Sequence, residues 1–330
     1  MSDIRGKNIL VIGGAGFIGS HVVDQLLLED IKKITIYDNF VRGTPDNIEK
    51  ALSDSRCRVF EAGGDILQKD ILNAAMKEND LVIHLAALWL LQCYEYPAAA
   101  FETNIRGTYN VLEACRDNNI ERLVYSSSAS VYGDAVEIPM TEEHPFNNRT
   151  FYGATKIAGE AMARAFYSRY GVNYIGLRYM NVYGPRQDYK GTYIAVIMRI
   201  LDNLDAGKSP VVYGDGSQSY DFIYVEDAAA ANVQGLKAQT VDKFYNIGTG
   251  TKTSIRELTE ITLKIYKSDL PIEYKPEGTT FVTNRIGSTE KAEKELGFKA
   301  KVQLEDGLRK LIAWRNEHKK LFGNRWKMFE

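Results

Sequence analysis

Tyr152 and Lys156 stand four residues apart at the start of a helix-forming segment. That spacing puts both on one helix face, with Cβ atoms roughly 5–6 Å apart. A phenol titrates near 10 and is a poor base at neutral pH, but an adjacent ammonium stabilises the phenolate and lowers that value. A YxxxK pair alone is weak evidence in a chain with 20 tyrosines. It gains weight from the run Ser126, Ser127, Ser128, Ala129, Ser130, Val131, Tyr132, Gly133, which closes an apolar stretch. Ligands bind outside the carboxyl ends of strands in open α/β sheets, so a hydroxyl there can hold a substrate oxygen against the phenol. Taken singly, these serines also read as turn formers. The chemistry on offer is removal of a proton from an alcohol.

A second site lies near the start of the chain. Asn8, Ile9, Leu10, Val11 and Ile12 run straight into Gly13, Gly14, Ala15, Gly16, Phe17, Ile18 and Gly19, which satisfies both GxGxxG and GxxGxxG. A turn free of side chains lets the backbone approach a pyrophosphate, and the following helix offers unpaired N–H groups to it. Asp38 follows Gly16 by about 20 residues, the offset expected of a carboxylate on an adenosine ribose. Such a carboxylate repels a 2′-phosphate, which favours NAD over NADP, although Arg42 close by blurs the preference. Asp65 ends a third strand, where it either bonds the adenine amino group or caps the next helix. A nicotinamide ring beside Tyr152 would add a second positive charge favouring the phenolate.

The elements that must hold these groups alternate. Short β-branched runs at 8–12, 33–37, 58–61, 80–85, 122–126 and 173–177 are separated by helical stretches at 17–29, 68–77, 97–118 and 151–170, with a weaker one from Pro45. In the first helix Ile18, Val22 and Leu26 recur every four residues, with Val23 and Leu27 beside them, forming one stripe. The pattern predicts right-handed βαβ units and an α/β fold with a Rossmann-type doubly wound parallel sheet. After residue 181 the chain is less regular, with glycines at 184, 214, 216, 248 and 250 and charged helices at 254–266, 289–296 and 304–318. Residues 1–181 read as a dinucleotide-binding domain to which segments near 222–250 return, and 182–330 mainly as a smaller C-terminal α/β substrate lobe.

Composition narrows the rest. Against 43 Asp and Glu stand 41 Lys and Arg, a net charge of -2, which argues against a whole-chain basic field for nucleic acid or anionic membrane. The longest nearly apolar run, 81–91, is broken by His84 and falls short of the ~20 residues of a membrane helix. The apolar stretch 9–12 is too short for a signal-peptide core of about 7–15 residues. Cys57, Cys93 and Cys115 are isolated and the four histidines scattered, so neither a disulfide framework nor a metal site is expected. The expectation is a cytoplasmic protein, with a solvated basic face at 318–327.

Taken in order, further segments join these motifs: Asp38-Asn39, Asp65-Ile66, His84-Leu85-Ala86-Ala87, Asn104 with Gly107-Thr108, Arg178-Tyr179-Met180-Asn181, Gly214-Asp215-Gly216-Ser217-Gln218 and Leu296-Gly297-Phe298. Together they make nearly the whole chain resemble the extended short-chain dehydrogenase/reductase family, in particular its nucleotide-sugar epimerases. The resemblance implies that Gly13, Gly16, Phe17 and Ile18 cradle the pyrophosphate of NAD, Asp38 and Asn39 its ribose, and Asp65 and Ile66 its adenine. Leu85, Ala86, Ala87, Asn104 and Ser126 would line the cofactor, with Tyr179 near the nicotinamide. Lys156 would bridge the nicotinamide ribose while tuning Tyr152, and Ser128 would be the catalytic hydroxyl. For a nucleotide-diphospho-sugar substrate it implies Ser128, Ser130, Asn181 near the diphosphate, Tyr213 against the base, Gln218, Tyr220, Arg285 and Trp89. It also implies a homodimer through the helices at 97–118 and 151–170.

Related 4,6-dehydratases carry Asp-Glu directly before Val-Tyr-Gly, and related decarboxylases keep the Glu. Here those positions are Ala129 and Ser130. The resemblance therefore points to epimerisation at C4 through a transient 4-keto sugar. Dehydration, decarboxylation or net oxidation on the same scaffold is the alternative, and a non-catalytic NAD-binding relative a second one. Tyr220 stands where the family usually has Arg, offering one hydrogen bond and no charge, so Arg285 is expected to supply the charge, although Ser288 replaces the Asp that commonly follows it. Trp89 replaces a small or charged residue. It either packs in the core or reshapes the pocket for a deoxy, acetamido or otherwise modified sugar.

Overall fold

The structure, a computed structural model, describes residues 3–187, 195–276 and 282–318; the basic stretch beyond His318 lies outside them. Asn8–Ile12 (β1) leads through the glycine turn into Phe17–Leu26 (α1), and Lys33–Tyr37 (β2) follows. Next come Glu49–Leu52 (α2), Cys57–Val59 (β3), Lys69–Met76 (α3) and Leu81–His84 (β4). Beyond β4 run Leu90–Glu95 (α4), Pro97–Ala100 (α5), a π-helical stretch Phe101–Arg106, and Gly107–Asp117 (α6). Arg122–Ser128 (β5), Phe151–Tyr170 (α7) and Tyr174–Tyr179 (β6) complete the first half. The second half runs Asn181–Tyr183 (β7), Val196–Asp205 (α8), Val211–Tyr213 (β8), Ser219–Tyr220 (β9) and Phe222–Tyr224 (β10). Val225–Lys237 (α9), Lys243–Ile247 (β11), Thr253–Ser254 (β12) and Ile255–Tyr266 (α10) follow. Glu273–Lys275 (β13), Asn284–Arg285 (β14), Glu290–Leu296 (α11) and Leu304–Glu317 (α12) end the described chain.

Seven of these strands form one sheet in the order β11-β6-β5-β4-β1-β2-β3, and every neighbouring pair is parallel. The pleat explains why the strands are apolar throughout. Ile9 and Val11 point into the core under α1 and α9, whereas Leu10 and Ile12 point into the core under α3, α6 and α7. A sheet covered on both faces cannot alternate polar with apolar residues. Chain order reverses at β1, which has β2 on one side and β4 on the other, so the carboxyl ends of these strands meet at a switch point. A third cluster, built around Tyr183, Ile197, Leu201, Val225, Leu258 and Leu308, is the core of the smaller lobe.

Local signals account for several boundaries. Thr150 caps α7 by accepting a hydrogen bond from Gly153 N–H, and Gly171, at φ 72°, ends it in the left-handed conformation. Ser254 and Glu257 form a capping box at α10. The continuous helix expected over 97–118 is instead broken by the π-helical stretch, which buries Asn104. The helix α4, unannounced by the sequence, precedes it: Leu90 and Leu91 line a cleft rather than form a stripe against a core.

Candidate active site

The carboxyl ends of the central strands open into a cleft of about 1500 Å³, closed on the far side by α8, β8 and β14. One small-molecule pocket is usually ~300–1,000 Å³, so the cleft has room for two ligands end to end. Of the two glycine patterns, Gly13, Gly16 and Gly19 are the ones that line it. Gly13 has φ +82°, and a Cβ there would stand 2.9 Å from Ala86 N; a Cβ on Gly19 would collide with Gly13 O. Gly13 and Gly19 thus tolerate no side chain, which keeps the backbone open to close approach by a pyrophosphate. Asp38 Oδ2 accepts from Ala15 N–H and Oδ1 from Phe40 N–H, each at 2.9 Å. Burial pushes its carboxyl above the usual range while these N–H groups oppose the shift. Asp65 does not cap α3, whose N-cap is Gln68; its carboxylate accepts from Leu67 N–H at 2.9 Å and lines the cleft. Phe17, Ile18, Asn39, Ile66, Leu85, Ala86 and Ala87 line it too. The cradle and the carboxylates suit a dinucleotide.

Asn104 is a correction. Expected at the cofactor, it lies buried behind the cleft wall. Its Oδ1 accepts from Leu88 N–H at 2.7 Å, and its Nδ2 donates to Leu88 O at 2.9 Å and Thr155 Oγ1 at 3.1 Å. Both ends of the amide are committed to holding the loop before α4.

Tyr152, Lys156 and Ser128 come together at the cleft floor, where α7 begins and β5 ends. Ser128 Oγ accepts from Ser130 N–H at 3.1 Å, and the Ser128 hydroxyl acts to lower the pKa of the Tyr152 phenol. Lys156 Nζ donates to Ser126 O at 2.8 Å and lies 5.6 Å from the Tyr152 ring centroid. Ser126 Oγ and Tyr179 Oη are 3.1 Å apart, and Tyr179 donates to Asn232 Oδ1 at 2.8 Å. Burial pushes the Tyr152 phenol up to about 12, although Ser128, Arg285 and Arg42 act to lower it. Burial also draws Lys156 down to about 8. Loss of water outweighs the chain's own charges here, which leaves the positive ring of a bound nicotinamide to favour the phenolate.

Sequence reading missed what fixes this geometry. Glu160, one further turn along the Tyr152–Lys156 face of α7, forms a buried pair with Arg178 of β6, with bonds of 2.9 and 2.7 Å. Ser127 donates to the same carboxylate at 2.6 Å, and Arg178 reaches Tyr132 Oη at 2.7 Å. The fully bonded network ties α7, β5 and β6 together behind the reacting groups. The spacing 152, 156, 160 was the available signal.

On the substrate side, Asn181 Nδ2 and Arg285 Nε are buried donors of the cleft lining without a hydrogen-bond partner among the described residues. Arg285 Nη1 also donates to Ser130 Oγ at 3.4 Å. Tyr220 lines the cleft as well, with its hydroxyl donating to Val282 O at 2.7 Å. Gln218 Nε2 donates to Tyr213 O at 3.4 Å, and the Tyr213 ring is 45% exposed in the cleft. Trp89 is not a core residue; half-buried, it faces the cleft beneath Arg42. Arg199 and Lys208 line the far end, on a helix and loop that carried no readable motif. Among the described residues, no group of His, Cys, Asp and Glu could hold a metal ion, and no helix is long and apolar enough to cross a membrane.

Residues 9–248 match the NAD dependent epimerase/dehydratase family. A UDP-N-acetylglucosamine 4-epimerase from Methanobrevibacter ruminantium M1, solved in complex with UDP-N-acetylmuramic acid, is 34% identical with a TM-score of 0.89, covering 95% of this chain and 99% of that one. A UDP-glucose 4-epimerase of Mycolicibacterium smegmatis is 31% identical over 92% of this chain and 97% of its own. A dTDP-glucose 4,6-dehydratase of Actinoplanes sp. is also 31% identical, over 93% of this chain and 97% of its own. Because the matched span runs from β1 through β11, and so takes in both the dinucleotide turn and the phenol–ammonium pair, this chain belongs to the NAD-dependent epimerase/dehydratase family of nucleotide-sugar enzymes and takes NAD as its cofactor.

Proposed function

We propose that the chain inverts C4 of a nucleotide-diphospho-sugar. The observation that carries this reading is the wall around Tyr152. It offers a phenol, the hydroxyls of Ser128 and Ser130 and the cations Lys156 and Arg285, whereas the lining carboxylates, Asp38, Asp65 and Asp202, belong to other parts of the cleft. Loss of water from a sugar needs an acid and a base beside the carbon concerned, and Ala129 and Ser130 supply neither. Ser128 holds the C4 hydroxyl, and Tyr152 removes its proton and later returns it. NAD, when bound, supplies the oxidation and re-reduction of the sugar carbon. The 4-keto sugar turns over between the two half-reactions. Asn181 Nδ2 and Arg285 Nε, buried donors short of partners, are assigned to the diphosphate, since an unpaired buried donor is costly until an anion meets it. On this reading residues 1–181, with the returning segments, hold the cofactor and 182–330 mainly hold the substrate.

The test is to incubate the purified protein with a panel of nucleotide sugars and follow products by NMR. C4 isomers without net release of reduced cofactor are expected. Loss of water or carbon dioxide would assign the chain to dehydration or decarboxylation, and inertness toward every sugar would leave a binding protein. We also assign a homodimer to the face carrying the exposed rings Tyr94, Tyr96, Phe101, Tyr109, Phe151 and Tyr170. Light scattering that reports a monomer at micromolar concentration would end that assignment.

A further inference from the structure

The strand that carries Arg285 into the cleft is too short to hold itself. β14 is only Asn284 and Arg285, paired on one side with Ser219 and Tyr220 of β9. Strands usually run about 3–10 residues, so this one needs support from its other side. That support comes from the loop that leaves the serine run. Beyond Ser128, Ser130 and Gly133, residues 134–140 lie along the 283–288 segment, with Met140 bridged to Gly287.

At the far end of this contact the bonds are mostly backbone. Met140 N–H donates to Ile286 O and Ser288 N–H to Met140 O, each at 2.8 Å, and Asn246 Nδ2 donates to Ser288 O at 3.2 Å. At the near end one side chain gathers the donors. Asp134 Oδ1 accepts from Thr283 N–H at 2.6 Å, Thr283 Oγ1 at 3.0 Å and Asn284 N–H at 3.4 Å. Bonds to a carboxylate are roughly twice as strong as neutral ones. Arg285 is the next residue past this clamp, and its Nη1 meets Ser130 Oγ of the same loop at 3.4 Å. Its Nε is a buried donor short of a partner. Burial acts to lower the Arg285 pKa; of the groups that oppose this, Tyr220, Asp134 and Tyr152, Asp134 is the carboxylate.

We infer that Asp134 is a positioning residue for the substrate's diphosphate: by clamping residues 283 and 284 it sets the Arg285 guanidinium in the cleft. The inference rests on the assignment of Arg285 to the diphosphate and is independent of the sugar and of the reaction at C4. One loop then serves both ends of the substrate, since the stretch that presents Ser128 to the sugar goes on to place the cation for its phosphates.

The test uses the full chain loaded with NAD. UDP and dTDP are the probes, because both carry the diphosphate and neither carries a sugar to be turned over. Calorimetry should find both weakened roughly tenfold to hundredfold in Arg285→Gln and roughly tenfold in Asp134→Ala. With the nucleotide sugar that the chain turns over, Asp134→Ala should raise KM and leave kcat unchanged. NAD affinity should not move. Asp134→Asn keeps an oxygen for the Thr283 and Asn284 N–H groups and should recover most of the loss. The double variant should bind UDP no more weakly than Arg285→Gln alone, because Asp134 acts through the arginine. Circular dichroism confirms folding, and Asp134→Ser replaces Asp134→Ala if that variant does not fold. Wild-type UDP and dTDP affinity in Asp134→Ala, beside a weakened Arg285→Gln, overturns the inference and spares the diphosphate assignment. Wild-type affinity in Arg285→Gln defeats that assignment and the inference with it. An Asp134→Asn protein as weak as Asp134→Ala also overturns the inference, since the effect would then belong to charge rather than to placement.

Discussion

Replacing Lys156 by Met keeps most of the side chain's length and removes its charge. The ammonium lies 5.6 Å from the Tyr152 ring centroid. At that separation a unit charge in an effective dielectric near 20 is worth about 3 kcal/mol, which is about two pH units in the ionisation of the phenol. Burial already pushes Tyr152 up to about 12, so losing the ammonium moves it further from neutrality. Below its pKa a base loses tenfold in active form per unit of upward shift, so kcat at pH 7 should fall about 100-fold. The sign also fixes the shape of the profile. Wild-type activity should rise with pH and flatten above about 8, where Lys156 gives up its proton and the phenol loses support. The Lys156→Met profile should keep climbing, with no break there. Steady-state pH–rate profiles, with NAD content checked at each pH, and a spectrophotometric titration of the phenolate decide the matter. A variant whose profile has the wild-type shape, merely scaled down, would show that Lys156 acts only as an anchor on Ser126 O.

Three other substitutions probe separate parts of the argument. Tyr152→Phe should abolish turnover and leave NAD bound, measured as cofactor content after gel filtration; residual wild-type activity would remove the phenol from the chemistry. Asp38→Ala should raise NADP binding relative to NAD by about tenfold or more. It should also loosen NAD itself, because Asp38 fastens Ala15 and Phe40 N–H; an unchanged ratio of affinities would reject the ribose role. Glu160→Gln leaves the Arg178 charge buried with its partner neutralised, and breaking such a pair costs about 3–5 kcal/mol in urea unfolding. A wild-type midpoint would show that the network behind the site carries little of its rigidity.

Much of the sheet was readable because strands buried on both faces are nearly unbroken apolar runs, and β1 and β2 coincide with those runs. β5 and β6 extend beyond theirs, since the polar pairs Ser127–Arg178 and Ser128–Tyr179 continue the ladder where hydrophobicity gives no sign of it. Helix α9 was missed for a different reason: between Val225 at its start and Val233 and Leu236 near its end, its buried face is carried by Asp227, Ala228, Ala229, Ala231 and Asn232, small or polar residues that interrupt the stripe. The reacting groups could be found because i, i+4 spacing is local. The Tyr220–Val282 bond, the Glu160–Arg178 pair and the Arg42–Trp89 bridge were not legible, because each joins elements whose adjacency exists only once strand order is known. The rise of the Tyr152 pKa was hidden likewise, being set by how much water the folded cleft excludes.

Ile18 touches two interiors at once, packing against the sheet core and against the core of the smaller lobe, which Phe17 also meets. The first turn of α1 is therefore a joint between the halves as well as a seat for phosphate. A ligand bound on that seat should therefore steady the packing between the two clusters as well as the turn itself.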